Sequence, residues 1–211
     1  MGFTMLYQYP TTDNKTGPQI IEQLTKKVIT LGAKPAGHFL VDCDTYMSVP
    51  QLGDGSPGRT VHVLHNSEHP ASVFAILETG SKVVPLIADN LFDLLMLKMT
   101  QIYTNKKQTK IECKGPRFEY VDLVIKLGTV TMSQNFKGVL VEVEYGPMIV
   151  PTNCWELMRE FVHSFLGNTM SHQIPPHLQV NNRMNEVYQP IDTIHQYLDH
   201  FGQYRKTAGL L

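Results

Sequence analysis

The chain has 211 residues, of which 42% are hydrophobic and 18% are charged, and its formal net charge is −1 at pH 7. A chain of this length buries roughly 70% or more of its unfolded surface, so it needs no disulfide or structural metal to fold. A net charge this close to zero gives no general field that would attract nucleic acid or an acidic membrane. The composition is typical of one large domain.

The cysteines and the apolar segments bear on the cellular compartment. Cys43, Cys113 and Cys154 are an odd number, lie far apart and form no CxxC pair, which predicts free thiols in a reducing compartment. The first ten residues lack the basic and apolar regions of a signal peptide. The most apolar stretch, 91–99, contains two charged residues and is too short to span a bilayer. We therefore expect a soluble intracellular protein.

The first half of the chain mixes helices and strands. A short strand at 3–9 is followed by a helix, which Thr16 and Gln19 begin as a capping box and Gly32 ends. From Phe39 a period of two predicts a strand. After a Gly/Pro loop at 50–58, further strands are predicted at 60–65, 72–78 and 82–87. A second helix is predicted from a cap at Asp89 or Asn90 to about Tyr103.

The second half begins with closely spaced strands. The predicted strands are 110–113, 118–127, 129–134 and 139–145, with turns at Gly115, at Gly128 and at 135–138, the pattern of an antiparallel meander. A third helix, capped by Asn153 and Glu156, ends at Gly167. The polar stretch 168–189 has no apolar period, which predicts a mobile loop. A last helix covers about 191–204.

Strands in runs, without strict alternation with helices, favour an α+β fold with an antiparallel sheet or barrel over a doubly wound parallel fold. We count eight or nine strands and four helices. The predicted organisation is a single domain over 1–205, with the mobile loop at 168–189 and a short tail at 206–211.

Two pairs of carboxylates are the strongest candidates for catalysis. Glu142 and Glu144 fall on one face of their strand, and Asp42 and Asp44 form a second such pair. Two pairs inside a barrel would hold Mg²⁺ or Mn²⁺ against phosphates, as in tunnel-type triphosphatases. This alternative function is a metal-dependent phosphohydrolase.

The competing interpretation of these pairs is ordinary amphipathic strands with their acids in water, and it is favoured. A tunnel enzyme also needs several inward cations, and only Arg117 and Lys126 are near. Among the other candidates, His62 and His65 lie three apart on a strand and point to opposite faces, so they do not share a metal ion. Cys154 is interpreted as a buried thiol in a first helical turn.

Other signals favour binding rather than chemistry. The basic run from Lys106 to Arg117 has no interleaved aromatic residues and is interpreted as a solvated face. The sequence contains no GxSxG, P-loop or GxGxxG motif. The helix that begins near Trp155 is apolar over much of its girth, which places it in the core or under a partner. No catalytic, metal-binding or cofactor-binding residue and no cofactor is assigned, and the partner-binding residues are unknown.

The chain resembles the Mediator complex subunit 20 family, in its metazoan form, over essentially its whole length. The resemblance rests on ordered motifs that include VDCDTY at 41–46, HNSE at 65–68, IAD at 87–89, KIE at 110–112, KLGTVTM at 126–132, VEVEYGP at 141–147, CW at 154–155, SFLG at 164–167, DT at 192–193 and QY at 196–197. None of them is a catalytic signature.

This resemblance implies an eight-stranded β-barrel flanked by helices and a non-enzymatic role in the nucleus. The family belongs to the Mediator head module, a coactivator assembly that relays regulatory signals to RNA polymerase II. The resemblance further implies a heterodimer with Mediator subunit 18 and docking through Mediator subunit 8. It implies only indirect contact with the polymerase, no sequence-specific nucleic acid binding and no membrane.

Overall fold

The computed structural model describes residues 2–11, 15–49, 58–167, 173–180 and 182–210. The strands within these ranges are β1 (Phe3–Tyr9), β2 (Lys34–Ser48), β3 (Arg59–Asn66), β4 (Val73–Thr79), β5 (Lys82–Ala88), β6 (Tyr103–Asn105), β7 (Ile111–Tyr120), β8 (Leu123–Met132) and β9 (Asn135–Tyr145). The helices are α1 (Gly17–Thr30), α2 (Leu91–Lys98), α3 (Pro151–Leu166), α4 (Pro176–Gln179) and α5 (Pro190–Thr207).

All strands belong to one antiparallel sheet. Its order is β1-β9-β8-β7-β2-β3-β4-β5, and the short β6 pairs with the end of β2. The sheet curves into a half-barrel, with β1 and β5 as its outer strands. The predicted fold class, an antiparallel barrel of about eight strands with flanking helices, is confirmed.

Helices cover both faces of the sheet. The apolar face of α5, with Ile194, Tyr197 and Phe201, packs inside the half-barrel against residues such as Val41 and Leu140. On the outer face, α1 and α3 pack over β1, β8 and β9. A smaller cluster places Met96 of α2 over the outer face of β3 and β4. Within the described ranges, the half-barrel therefore contains one helix, α5, and two separate groups of helices pack on its outer face.

The predicted turns at Gly115 and Gly128 are wrong, because both glycines lie inside strands. A Cβ atom at Gly115 would lie 1.9 Å from the carbonyl oxygen of Leu127, and one at Gly128 would lie 2.2 Å from Sγ of Cys113. Glycine is needed at both positions because another chain segment approaches closely. The glycines therefore mark close packing inside strands rather than turns between them.

The two hairpin turns of the meander, β7–β8 and β8–β9, occur where no glycine stands. The β7–β8 turn contains Val121 with φ of 51°, and the β8–β9 turn contains Ser133 and Gln134 with φ of 48° and 69°. Two successive residues with positive φ form the kind of tight turn that matches the twist of antiparallel strands. The predicted turn at 135–138 is also wrong, because those residues already belong to β9.

Other boundaries also differ from the sequence prediction, and the predicted strand at 118–127 is divided between β7 and β8 by the turn at Val121. The helix α2 ends at Lys98 rather than near Tyr103, because Tyr103 begins β6 and pairs with Ser48. The helix α3 starts at Pro151, which precedes the predicted caps. The helix α5 continues to Thr207, so it includes the first two residues of the predicted tail. No helix in the described ranges is long and apolar enough to cross a membrane.

The predicted mobile loop at 168–189 is described in part. Residues 168–172 and 181, like most of the predicted loop at 50–58, lie outside the described residues. The described part contains α4 and a 3₁₀ turn at Arg183–Asn185, and it buries Leu178 and Tyr188 in the outer core. Its mobility stays a prediction.

Candidate functional site

The two carboxylate pairs lie on opposite faces of the sheet. Glu142 on β9 points into the half-barrel, where the hydroxyl of Tyr197 from α5 donates a hydrogen bond to it. Asp42 and Asp44 alternate with Val41 and other residues of the inner core, so they point outward. A tunnel-type triphosphatase requires both pairs to point into one cavity. Here they do not converge.

Inside the half-barrel, Glu142 forms an ion pair with Lys126 of β8. Lys126 Nζ donates to Glu142 Oε1 at 2.8 Å, and both side chains are almost fully buried. Burial acts to lower the pKa of Lys126, but the charge of Glu142 and its hydrogen bond outweigh this effect, so the pKa is raised. The expectation that these acids lie in water is wrong for Glu142.

A polar cavity of about 280 Å³ lies beside this pair. Its wall contains Arg117, Lys126, Glu68, Glu142 and Glu144, together with polar residues from β1, β3 and α5. Arg117 Nη1 donates to Glu119 at 2.7 Å and Nε lies 3.6 Å from Glu68, while Lys126 is bound to Glu142. Both cations are therefore already paired with carboxylates, which compete with a phosphate for them.

Among the residues that the structure describes, the cavity also offers no cluster of metal ligands. Lys126 and Tyr197 contact the two oxygens of Glu142, and the amide of Gly2 donates to Glu144 at 2.8 Å. Within the described residues, no group of three or more histidine, cysteine or acidic side chains has the arrangement to hold a metal ion.

On the outer face, Asp42 takes part in a charged cluster that ties α2 to the sheet. His65 of β3 lies 2.8 Å from Asp42 through Nδ1 and 3.0 Å from Asp93 of α2 through Nε2. The hydrogen bond to Asp42 raises the pKa of His65 to about 9, against an opposing effect of burial. Lys110 lies 3.0 Å from Asp44 and 3.9 Å from Asp42. Because these contacts join α2 to β2 and β3, we interpret the cluster as structural.

The histidines and cysteines behave as the sequence predicts. His62 is buried inside the half-barrel beside Thr45, at 3.1 Å, whereas His65 lies outside. All three cysteines are free and buried. Burial raises the pKa of Cys154 to about 11, which removes the thiolate character that a nucleophile needs.

Sequence reasoning missed a large exposed apolar surface. Both faces of β5 and most of α2 are exposed, and the aliphatic side chains there are between 47% and 66% accessible: Val83, Val84, Leu86, Ile87, Leu91, Leu94, Leu95 and Leu97. We call these eight residues the β5–α2 surface. The signal was present in 91–98, because a helix with apolar residues on every side has no face for water. The exposure of β5 had no comparable local signal.

Comparison with known proteins identifies the family. A family model described as the TATA-binding related factor (TRF) of subunit 20 of Mediator complex matches residues 1–202. The chain belongs to the Mediator subunit 20 family. Three members carry the name "Mediator of RNA polymerase II transcription subunit 20": those of Aedes aegypti, Drosophila melanogaster and Homo sapiens are 60%, 49% and 44% identical to it, over 98%, 100% and 98% of this chain and 95%, 89% and 95% of theirs. The resemblance of the motifs to Mediator subunit 20 is confirmed.

Solved structures give only a general likeness. A chain of the Schizosaccharomyces pombe Mediator head module is 13% identical with a TM-score of 0.40, over 80% of this chain and 95% of that one. The inorganic triphosphatase NE1496 is 10% identical with a TM-score of 0.30, over 67% and 74%. Neither likeness decides between a Mediator subunit 20 and a triphosphatase. Family membership and the separation of the two carboxylate pairs disfavour the phosphohydrolase.

Proposed function

We propose that the chain is a non-enzymatic subunit of the Mediator coactivator complex. It works as a protein–protein scaffold in the head module and helps to relay regulatory signals to RNA polymerase II. Membership of the Mediator subunit 20 family along nearly the whole chain supports this role. Of the carboxylates that suggested chemistry, Glu142, Asp42 and Asp44 are engaged in ion pairs and Glu144 accepts a hydrogen bond from the amide of Gly2, which leaves no assembled reaction centre among the described residues.

The single observation that carries the scaffold role is the β5–α2 surface. Monomeric proteins rarely expose apolar patches of more than a few hundred Å², and larger ones mark interaction sites. Only Met96 of α2 is fully buried, so the helix hardly contributes to the core of the lone chain. Charged residues are sparse between residues 83 and 97, and the centres of protein interfaces are likewise depleted in charged residues.

We propose specific partners from the family. The chain forms a heterodimer with Mediator subunit 18 and joins the rest of the head module through Mediator subunit 8, in the nucleus. It reaches RNA polymerase II only indirectly, and it makes no direct sequence-specific contact with nucleic acid and none with a membrane. A permanent heterodimer of this kind buries about 2,000 Å² or more in total, and the β5–α2 surface supplies an apolar centre for it.

The test is co-expression of the full chain with Mediator subunit 18 of the same organism, followed by gel filtration. We expect a stable one-to-one complex. Changing Leu94→Glu together with Leu97→Glu places charge on the β5–α2 surface, and it should weaken the complex at least about tenfold. The matched control is Leu157→Glu, because Leu157 is a leucine of α3 with 49% exposure on another face.

Two results would contradict the proposal. A lone chain that stays soluble and monomeric and forms no complex with subunit 18 at micromolar concentration would remove the heterodimer. A complex that the Leu157→Glu variant loses and the paired Leu94/Leu97 variant keeps would move the interface to α3.

A further inference from the structure

The two outer strands of the sheet, β1 and β5, differ in whether other elements cover their free edges. On β1, the free edge is covered by α5: Gln196 Oε1 accepts a hydrogen bond from the amide of Leu6 at 2.9 Å, and Gln196 Nε2 donates to the carbonyl of Thr4 at 2.8 Å. Nε2 of His200, also on α5, lies 3.4 Å from the carbonyl oxygen of Leu6. These contacts replace the strand that β1 lacks on that side.

No such cover exists on β5. Its seven residues pair with β4 from Thr79↔Lys82 to Val73↔Ala88. Within the described part of the chain, no hydrogen bond from outside this ladder reaches the backbone of β5. An edge strand with free donors and acceptors is a template for another strand, and proteins normally shield such an edge. Here one edge is shielded and the other is open.

We propose that β5 receives a β-strand from its partner subunit, so that the sheet continues across the interface. This inference rests on the proposed Mediator role and names the binding mode of the same surface. Main-chain hydrogen bonds along an exposed edge give affinity in this mode, and side-chain pockets on alternate residues give specificity.

The surroundings of β5 define the incoming segment. On the inner side, Val83 and Pro85 line a groove of about 920 Å³ between the β4–β5 hairpin and α5. Neighbouring strands lie only about 4.8 Å apart, so an added strand would run along the mouth of this groove. The groove wall also includes Glu78, Asp199 and Lys206, so it accepts polar as well as apolar side chains.

The outer side of β5 has the opposite character. Val84 and Leu86 are opposite Leu77 and Ala75 of β4, on the side of the sheet that α2 covers. Their exposed side chains extend the leucines of α2 into one apolar surface. The incoming strand therefore presents apolar residues on the α2 side, whereas on the groove side it meets the apolar Val83 and Pro85 together with charged groups of the groove wall. An interface of about 800 Å² per partner needs such a strand together with contacts to α2.

Pro85 removes one hydrogen-bond donor from the free edge of β5. A proline is tolerated in a sheet when its nitrogen faces away from the paired strand, because it has no N–H to donate. Pro85 interrupts neither the β4 pairing nor its register, since it lies opposite Ile76. The free edge therefore lacks one donor in its middle, and residues two positions away, such as Val83, present their amides on the same side.

The first measurement is amide hydrogen exchange of the full chain, alone and in complex with Mediator subunit 18. We expect the amides of 83–87 that face the free edge to exchange rapidly in the lone chain. In the complex they should slow at least about tenfold, because each one gains a carbonyl partner. Amides of β1 should show the same protection in both states, since Gln196 already covers that edge.

The second measurement compares two substitutions at one position. Val83→Pro removes the edge N–H and keeps an apolar side chain, whereas Val83→Ala keeps the N–H and shortens the side chain. We expect Val83→Pro to weaken the complex at least about tenfold and Val83→Ala to weaken it much less. Thermal melting of each lone variant separates this effect from a folding defect.

Each outcome has one meaning. Protection of 83–87 in the complex, with the stronger effect of Val83→Pro at an unchanged melting temperature, supports strand addition. Should Val83→Pro unfold the lone chain, the exchange experiment on the unaltered protein decides. A stable complex without protection of 83–87 overturns strand addition and leaves the proposed function intact, while the absence of any complex overturns both. A lone chain that dimerises with protected 83–87 assigns the edge to a second copy and also overturns the proposal.

Discussion

At the scale of single residues, the centre of the half-barrel depends on one buried ion pair. Two charges are taken out of water at Lys126 and Glu142, which is expensive unless each has a close partner. Lys126 has Glu142 at 2.8 Å, and Glu142 also accepts the hydroxyl of Tyr197. The alternation in 141–145 predicts that Glu142 and Glu144 share a face. Their partners come from β8, α5 and the amino terminus, which no local pattern reveals.

Removing one member of this pair should destabilise the fold strongly. Glu142→Ala leaves the ammonium of Lys126 buried without its main partner, which costs about 3–5 kcal/mol in the free energy of unfolding. Urea unfolding of the lone chain measures the change. The control is the double variant Lys126→Met with Glu142→Leu, which should recover most of the lost stability because no charge remains buried. A single variant as stable as the unaltered chain would contradict this account.

The cluster around His65 should make stability depend on pH. The pKa of His65 is raised from 6.5 to about 9 by Asp42 on β2 and Asp93 on α2, with Lys110 on the other side of Asp42. Because the folded pKa exceeds the unfolded one, this contribution is fully present below about pH 6.5 and is lost as the pH rises through about 9. His65→Gln should remove that part of the pH dependence.

The measurement is the urea midpoint of both chains at about pH 6 and about pH 10. The difference between them isolates His65, because every other group titrates in both chains. Equal pH profiles for the two chains would show that the cluster contributes nothing to stability.

At the scale of elements, periodicity predicts most of the fold and fails where packing decides. The strand 3–9 and the inner face of β2 follow directly from alternation, since Phe39, Val41 and Cys43 are all buried. Glycine is a poor guide in the meander, because Gly128 is required by the close approach of Phe39 and Cys113 rather than by a turn. The true turn contains Val121 at positive φ, and β-branched residues rarely adopt this conformation.

The helix α3 lies in the core on one side, and the alternative of a partner over its other side stays a prediction. Its stripe of Trp155, Met158, Val162 and Phe165 is buried in the outer core. Leu157 on the neighbouring stripe is 49% exposed, so the helix is not enclosed over its whole girth. Whether Leu157 is buried depends on which elements lie beside the helix, and the sequence of α3 does not contain that information.

Trp155→Ala should be a folding lesion rather than a binding lesion. Trp155 lies 6.2 Å from Phe3 between ring centroids, so its side chain joins α3 to β1. Truncating a core aromatic costs about 3–5 kcal/mol, a large share of a typical domain's stability. Thermal melting of the lone chain should show this loss, while Leu157→Ala on the same helix should change the stability by about 0.5 kcal/mol or less. Unchanged melting with lost partner binding would place Trp155 in the interface.

At the scale of the whole molecule, function follows from which groups share a side of the sheet. The sequence correctly places each carboxylate pair on one face of its strand. Whether the two pairs meet depends on the curvature of the sheet and on the strands between β2 and β9. These are non-local features, and they place Asp42 outside and Glu142 inside. The same non-local organisation leaves β5 at an open edge, which its own residues do not signal.

We therefore expect no phosphohydrolase activity from the purified chain. A tunnel-type enzyme needs acids that hold Mg²⁺ or Mn²⁺ and free cations that hold the phosphates. Here Glu142 is bound by Lys126 and Tyr197, Arg117 is bound by Glu119, and Asp42 and Asp44 face the opposite side. The assay supplies nucleoside triphosphate with Mn²⁺ and follows phosphate release, with a known triphosphatase as the positive control. Turnover near about 1 s⁻¹ is a rate typical of enzymes. Such turnover would contradict the scaffold role if Arg117→Ala abolished it without lowering the melting temperature. Glu142→Ala is unsuitable for that comparison, because the loss of its ion pair destabilises the fold around the same cavity in which the chemistry would occur.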